Sequence, residues 1–248
     1  MSDLILLLPE MVLVGMALAL ILIARRVHRA RSAAVGVVIA VVAAVCSVWA
    51  VSGEGHRSGF GGTIVGDGYA QFFNVLFAAN LALAALFAVR HLDTEHVRPA
   101  EYYCLLLLAS TGMMLAASAA DLLVLYLGLE LMTLCSYILV GITRDRSLSN
   151  EAAIKYFLLA SFASALLLYG ISLAYGVTGA TSFAAIASAV SERSLQGHPL
   201  LLVGVALVVV GLAFKIAAVP FHAWAPEDRK STRLNSSHIQ KSRMPSSA

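Results

Sequence analysis

Four ionisable side chains stand inside, or at the edge of, long apolar stretches of this sequence: Glu130, Lys155, Lys215 and His222. A charge at the depth of a bilayer costs at least about 2.5–3.5 kcal/mol on insertion scales, so such residues point to function by default. The chemistry they suggest is proton transfer. A desolvated lysine gives up its proton more readily, and a nearby carboxylate restores its hold on it. A lysine whose carboxylate partner can approach or recede is therefore a switchable proton carrier. Glu130 lies about 12 Å into its segment at 1.5 Å per residue, and Lys215 is also well inside its own. Lys155 lies one turn inside a segment end, where a lysine can also snorkel to water. His222 follows Lys215 by seven residues, about two helical turns, so the two can share one face; it can equally be an interface residue. For Glu130 and Lys215 the plainer alternative is a structural ion pair.

The elements that must position these groups are membrane-spanning helices. Of 248 residues, 60% are hydrophobic and 12% charged, against roughly 25% charged in soluble domains. The apolar segments fall at about 4–24, 33–52, 70–89, 102–120, 122–142, 152–175 and 200–221. Each is about 20 residues long, enough to cross about 30 Å of hydrocarbon as a helix. Helix is required because lipid offers the backbone no hydrogen-bond partner. The expected fold is all-α, with about seven spans. The first segment lacks the basic start of a cleavable signal. Pro220 removes a backbone donor and predicts a break in the seventh helix between Lys215 and His222, of the kind found at ion sites in transporters. The loop 181–195 has apolar residues at helical spacing and predicts a short amphipathic helix on the outer surface. Glu10 and Asp121, near segment ends, read as interfacial.

Charge placement gives orientation. Arg25, Arg26, Arg29, Arg31, Arg90, Arg98, Arg144 and Arg146 fall in alternate loops, while the other side carries Arg57 and Arg193. The positive-inside rule puts the arginine-rich loops in the cytoplasm and the N-terminus outside. The formal charge of +3 comes from the last twenty residues, which hold five basic residues and no acid; without them 12 basic residues face 14 acidic ones, a net of −2. Nothing here suggests a nucleic-acid partner. Cys46, Cys104 and Cys135 are too dispersed for a zinc, haem or iron–sulfur motif and read as small core residues.

Three stretches, "GLELMTLCSYILVG", "NEAAIKYFLLASFASALLLYG" and "GLAFKIAAVPFHAWAPE", together with the opening "LLPEMVLVGMAL", resemble the antiporter-like proton-translocating subunits of respiratory complex I. The resemblance covers residues 1–227. It implies that Glu130 and Lys215 form the paired proton site, that Lys155 joins the relay, and that His222 follows the broken stretch of the seventh span. It implies a bacterial inner-membrane protein whose partners are lipid and other membrane-arm subunits. NADH, flavin, iron–sulfur clusters and quinone would be handled elsewhere in the complex, with no cofactor in this chain. Family members have about twice as many spans, so the resemblance makes residues 1–227 the first part of a longer subunit. The Ser-, Arg- and Lys-rich residues 228–248 read as a disordered, spurious tail. A subunit of a multisubunit cation/proton antiporter and a purely structural membrane subunit are the alternative functions.

Overall fold

The computed structural model describes residues 2–24, 30–51, 57–95 and 97–219. His222, Pro220, Arg25, Arg26, Arg29 and the tail 228–248 lie outside the described residues. The fold is an all-α multi-pass membrane bundle. In chain order it comprises α1 (Ser2–Leu6), α2 (Leu8–Leu22), α3 (Ala30–Val51), a hairpin of β1 (Arg57–Gly59) and β2 (Ile64–Gly66), α4 (Gly68–Glu95), α5 (Pro99–Ala117), α6 (Leu122–Val140), α7 (Ser147–Thr178), α8 (Phe183–Glu192) and α9 (Pro199–Lys215).

Each apolar segment of the sequence is helical, but the lengths differ from expectation. Among the described residues, five helices are long and apolar enough to cross a membrane: α3, α4, α5, α6 and α7. The first segment is not one helix. It divides at Leu7, with Pro9 in the first turn of α2, where the missing N–H of proline is tolerated. The seventh segment ends early, at Lys215. At 32 residues, α7 outruns its segment at both ends.

Small residues set the closest helix contacts, as expected where lipid gives no hydrophobic drive for association. A methyl group added at Gly112 of α5 would sit 2.6 Å from the Gly128 carbonyl oxygen of α6. Between α7 and α9, one added at Gly170 would meet the Gly204 carbonyl oxygen at 2.6 Å, and one at Gly211 would meet Leu167 Cβ at 2.6 Å. A separate core joins α2, α3, α4 and α5 around Leu13, Val37, Leu81, Tyr103 and Leu107.

The two ends of the bundle are built differently. At one end, three connecting segments are knit by backbone hydrogen bonds. Val65 N–H donates to Ser118 O at 2.8 Å, Ala120 N–H to Thr63 O at 2.9 Å, Leu122 N–H to Thr181 O at 2.9 Å and Phe183 N–H to Ala120 O at 3.0 Å. Asp121, buried here, caps α6 by accepting from Leu123 N–H at 2.8 Å, and takes the Thr181 hydroxyl at 2.5 Å. The expected interfacial aspartate is thus a structural cap with both carboxylate oxygens engaged. The amphipathic helix of the loop is present as α8, capped by Ser182. At the other end lie Arg31, Arg90, Arg98, Arg144 and Arg146; there an ion pair at the surface, Arg146 to Glu95 at 2.8 Å, links the residue before α7 to the end of α4.

Candidate functional site

Three helices converge on one polar cluster. Glu130 is the ninth residue of the 19-residue α6, so it sits near the middle of that helix. Lys215 is the last residue of α9. Its ammonium donates to Glu130 Oε1 at 2.7 Å, and the two side chains are only 5% and 18% exposed. Two hydroxyls complete the site. Ser164 of α7 donates to the same carboxylate oxygen at 2.5 Å and accepts from Lys215 Nζ at 3.2 Å. Thr133 of α6 accepts from Lys215 Nζ at 3.1 Å. The ammonium therefore places its three donors on three oxygens, and the charge is both paired and hydrogen-bonded, as burial demands.

The local sequence explains how these groups meet. Glu130 and Thr133 are three residues apart and share a face of α6. Thr133 turns its own hydroxyl proton back onto the helix, toward Leu129 O at 2.8 Å, and leaves its lone pairs to the lysine. Gly211 stands one turn before Lys215 and lets α9 lie against Ala163 and Leu167, either side of Ser164 along α7. Close approach at this glycine brings the lysine within reach.

Beyond Lys215 the helix stops in a Schellman motif. Ala218 N–H donates to Ala213 O at 2.9 Å and Ala217 N–H to Phe214 O at 3.1 Å. The left-handed position of this motif, usually glycine, is Ala217 at φ 52°. The expected break in α9 thus begins directly after the lysine rather than at Pro220, and it leaves the ammonium beside a helix C-terminus, where a cation is favoured.

Lys155 is not part of this cluster. It precedes Ser164 by nine residues, which places it on the opposite side of α7 at 100° per residue. Its side chain is 59% exposed and pairs with Glu151, one turn earlier on the same helix. Nearby, Tyr137 of α6 packs edge-on against Tyr156 of α7, with ring centroids 4.7 Å apart. Sequence reasoning missed Thr133 and Ser164. Thr133 was legible from its spacing to Glu130; nothing in the sequence distinguishes Ser164 from neighbouring small polar residues.

It also misplaced Glu10. Rather than facing the interface, this residue is 5% exposed and lies against Asn74 of α4, itself 6% exposed. Its place in the first turn of α2 favours a carboxylate by about 0.3–1 kcal/mol, less than the roughly 2.5–3.5 kcal/mol lost by an intramembrane charge.

Residues 119–238 match the family described as NADH:quinone oxidoreductase/Mrp antiporter, TM. The chain is 41% identical over 222 residues to NADH-quinone oxidoreductase subunit N 2 of Rhizobium meliloti, covering 88% of this chain and 46% of the relative. It is 40% identical over 239 residues to subunit N 1 of Koribacter versatilis, covering 91% and 47%. Among solved structures it is similar to a chain of respiratory complex I from Thermus thermophilus, with a TM-score of 0.70, 29% identity and coverage of 88% and 46%. The chain spans about half the length of the curated relatives it matches.

Proposed function

From a chain that belongs to the NADH:quinone oxidoreductase/Mrp antiporter transmembrane family, we propose a membrane-arm subunit of an NADH–quinone oxidoreductase that moves protons through the Glu130–Lys215 site. The observation that carries this reading is the buried pair itself: an ammonium and a carboxylate from different helices, bridged by the Ser164 hydroxyl, with the Thr133 hydroxyl on the ammonium, at the end of a helix. While Glu130 faces it, Lys215 holds its proton. When Glu130 withdraws, the ammonium loses its counter-charge in a dry site and the proton leaves. Ser164 touches both partners, so its hydroxyl is placed to hand a proton between them.

In this reading the reducing power comes from NADH oxidised elsewhere in the complex, through flavin and iron–sulfur centres to quinone, and this chain supplies no redox group. It sits in the bacterial inner membrane with its N-terminus outside and its arginine-rich loops in the cytoplasm. Lys155, exposed on the far side of α7, and His222, beyond the described residues, are relay residues whose link to the pair runs through parts of the subunit that the relatives have and this chain does not span.

The test is NADH-driven proton pumping by the assembled complex in sealed vesicles, with Glu130→Gln and Lys215→Ala in the completed subunit. Both variants should assemble and lose most pumping. A structural pair gives the opposite pattern. Removing one partner strands a buried charge at about 3–5 kcal/mol, so assembly would fail. Normal assembly with unchanged pumping in both variants refutes the proton role.

A further inference from the structure

The bundle holds another buried carboxyl, apart from Asp121 and remote from the Glu130–Lys215 cluster. Glu10 of α2 and Asn74 of α4 meet beneath the hairpin-capped end, both more than nine-tenths buried. Asn74 Nδ2 reaches Glu10 Oε1 at 3.5 Å. The other two polar atoms, Glu10 Oε2 and Asn74 Oδ1, have no hydrogen-bond partner among the described residues.

An ionised carboxylate has no donor to offer, so both atoms would stay unsatisfied in a site closed to water. Turning the amide over does not help. Oδ1 would then face Oε1, acceptor against acceptor, at the same 3.5 Å. In either orientation the pair lacks one donor, and a single proton on the carboxyl supplies it. The acid then donates through Oε2–H to the amide oxygen while the amide N–H returns to Oε1, a closed ring of two hydrogen bonds.

Among the described residues, no charged group acts on Glu10 to hold it ionised; the donors on it are Asn74 and its own backbone N–H. No other charged residue stands on α2. Among the described residues, the ionisable groups of the adjoining elements at this end of the bundle are Asp3, Arg57, Asp67, Tyr69, Cys46 and Asp121, and no hydrogen bond joins any of them to Glu10. Asp3 accepts from Phe60 N–H at 3.0 Å, and Asp67 caps α4 through Ala70 N–H at 2.9 Å. The charged residues of the remaining helix ends, among them Arg31, Arg90 and Glu101, lie at the far end of α3, α4 and α5.

We propose that Glu10 and Asn74 form a second proton-binding site, in which Glu10 is a neutral acid whose Oε2–H is held by Asn74 Oδ1. No bond other than O–H forms or breaks, and the ligand is a proton.

Infrared difference spectra of the assembled complex at neutral pH, wild type minus Glu10→Gln, test this. The expected result is a protonated-carboxyl C=O band present in the wild type and missing from the variant. Asn74→Leu should move that band to higher frequency, since the acid then has no acceptor. Glu10→Gln should assemble with the wild-type thermal midpoint, because its amide N–H can donate where the acid proton did. The proposal is overturned by a difference spectrum showing only carboxylate bands, by a band that Asn74→Leu leaves in place, or by failure of Glu10→Gln to assemble.

Discussion

Substituting alanine for Gly211 adds one methyl group at the closest point between α7 and α9, four residues before Lys215. The new Cβ would sit 2.6 Å from Leu167 Cβ and 3.1 Å from the Ala163 carbonyl oxygen. Carbon atoms rest at about 3.5–4.0 Å, so the helices must part by about 1 Å. Neither neighbour is a free side-chain end that could swing away. Carried to Lys215, that shift lengthens its 3.2 Å contact with Ser164 of α7 to about 4.2 Å, outside hydrogen-bond range. Overpacking of this kind costs about 1–3 kcal/mol, a factor of about 5–150 in the population of the closed pair. Pumping by the assembled complex should fall within that range. Gly176→Ala on the neighbouring α7 serves as the control, since a methyl there meets nothing within 4 Å. Wild-type pumping and thermal midpoint in Gly211→Ala would refute the claim that close approach at this glycine positions the lysine.

Other substitutions give sharper local readings. Ser164→Ala removes a hydroxyl bound to both members of the pair; a hydrogen bond to a charged group contributes about 1.5–3 kcal/mol. Pumping should therefore drop while assembly persists, and by less than in Glu130→Gln, in the same vesicle assay. Asp121→Ala loses a helix cap worth about 0.5–2 kcal/mol together with the Thr181 contact. It should lower the thermal midpoint more than Asp121→Asn, which keeps a capping oxygen. Ala217→Gly relieves a left-handed alanine and should stabilise the chain by about 1 kcal/mol, whereas Ala217→Val should destabilise it. A thermal melt in which valine is tolerated as well as glycine would contradict the Schellman geometry.

Much of this arrangement could be read from the chain before any coordinates. Glu130 and Lys215 announce themselves because charge inside apolar sequence is costly, and their opposite signs predict pairing. The helices follow from the same apolar runs. What could not be read is what depends on contact between helices. Ser164 looks like any serine of a transmembrane helix until α9 is placed against it. Lys155 sits in a quoted motif yet turns away from the pair, because nine residues on a 3.6-residue turn reverse the face. Glu10 and Asp121 look interfacial when counted from segment ends. Their burial comes from Asn74 of α4 against Glu10 and from the strap at 180–183 over Asp121, partners that no periodicity in the sequence reveals. Pro220 marks a break between Lys215 and His222, but the chain leaves the helix directly after the lysine, through a left-handed alanine that no sequence rule marks.

The unequal stitching of the two ends has a mechanical consequence. At the hairpin end, four backbone hydrogen bonds and the Asp121 cap tie the connections of α4, α5, α6, α7 and α8 into one clamp. At the opposite end, the end of α4 is joined to the start of α7 by a surface arginine–glutamate contact, of a kind that contributes about 0–1 kcal/mol. A bundle fastened this way behaves as tongs with a fixed hinge. Displacement of α6 against α7 is then expected to be larger at the arginine-rich tips than at the clamp. Amide hydrogens should record the same asymmetry, exchanging slowly at Val65, Ala120 and Leu122 and readily at Arg144 and Arg146.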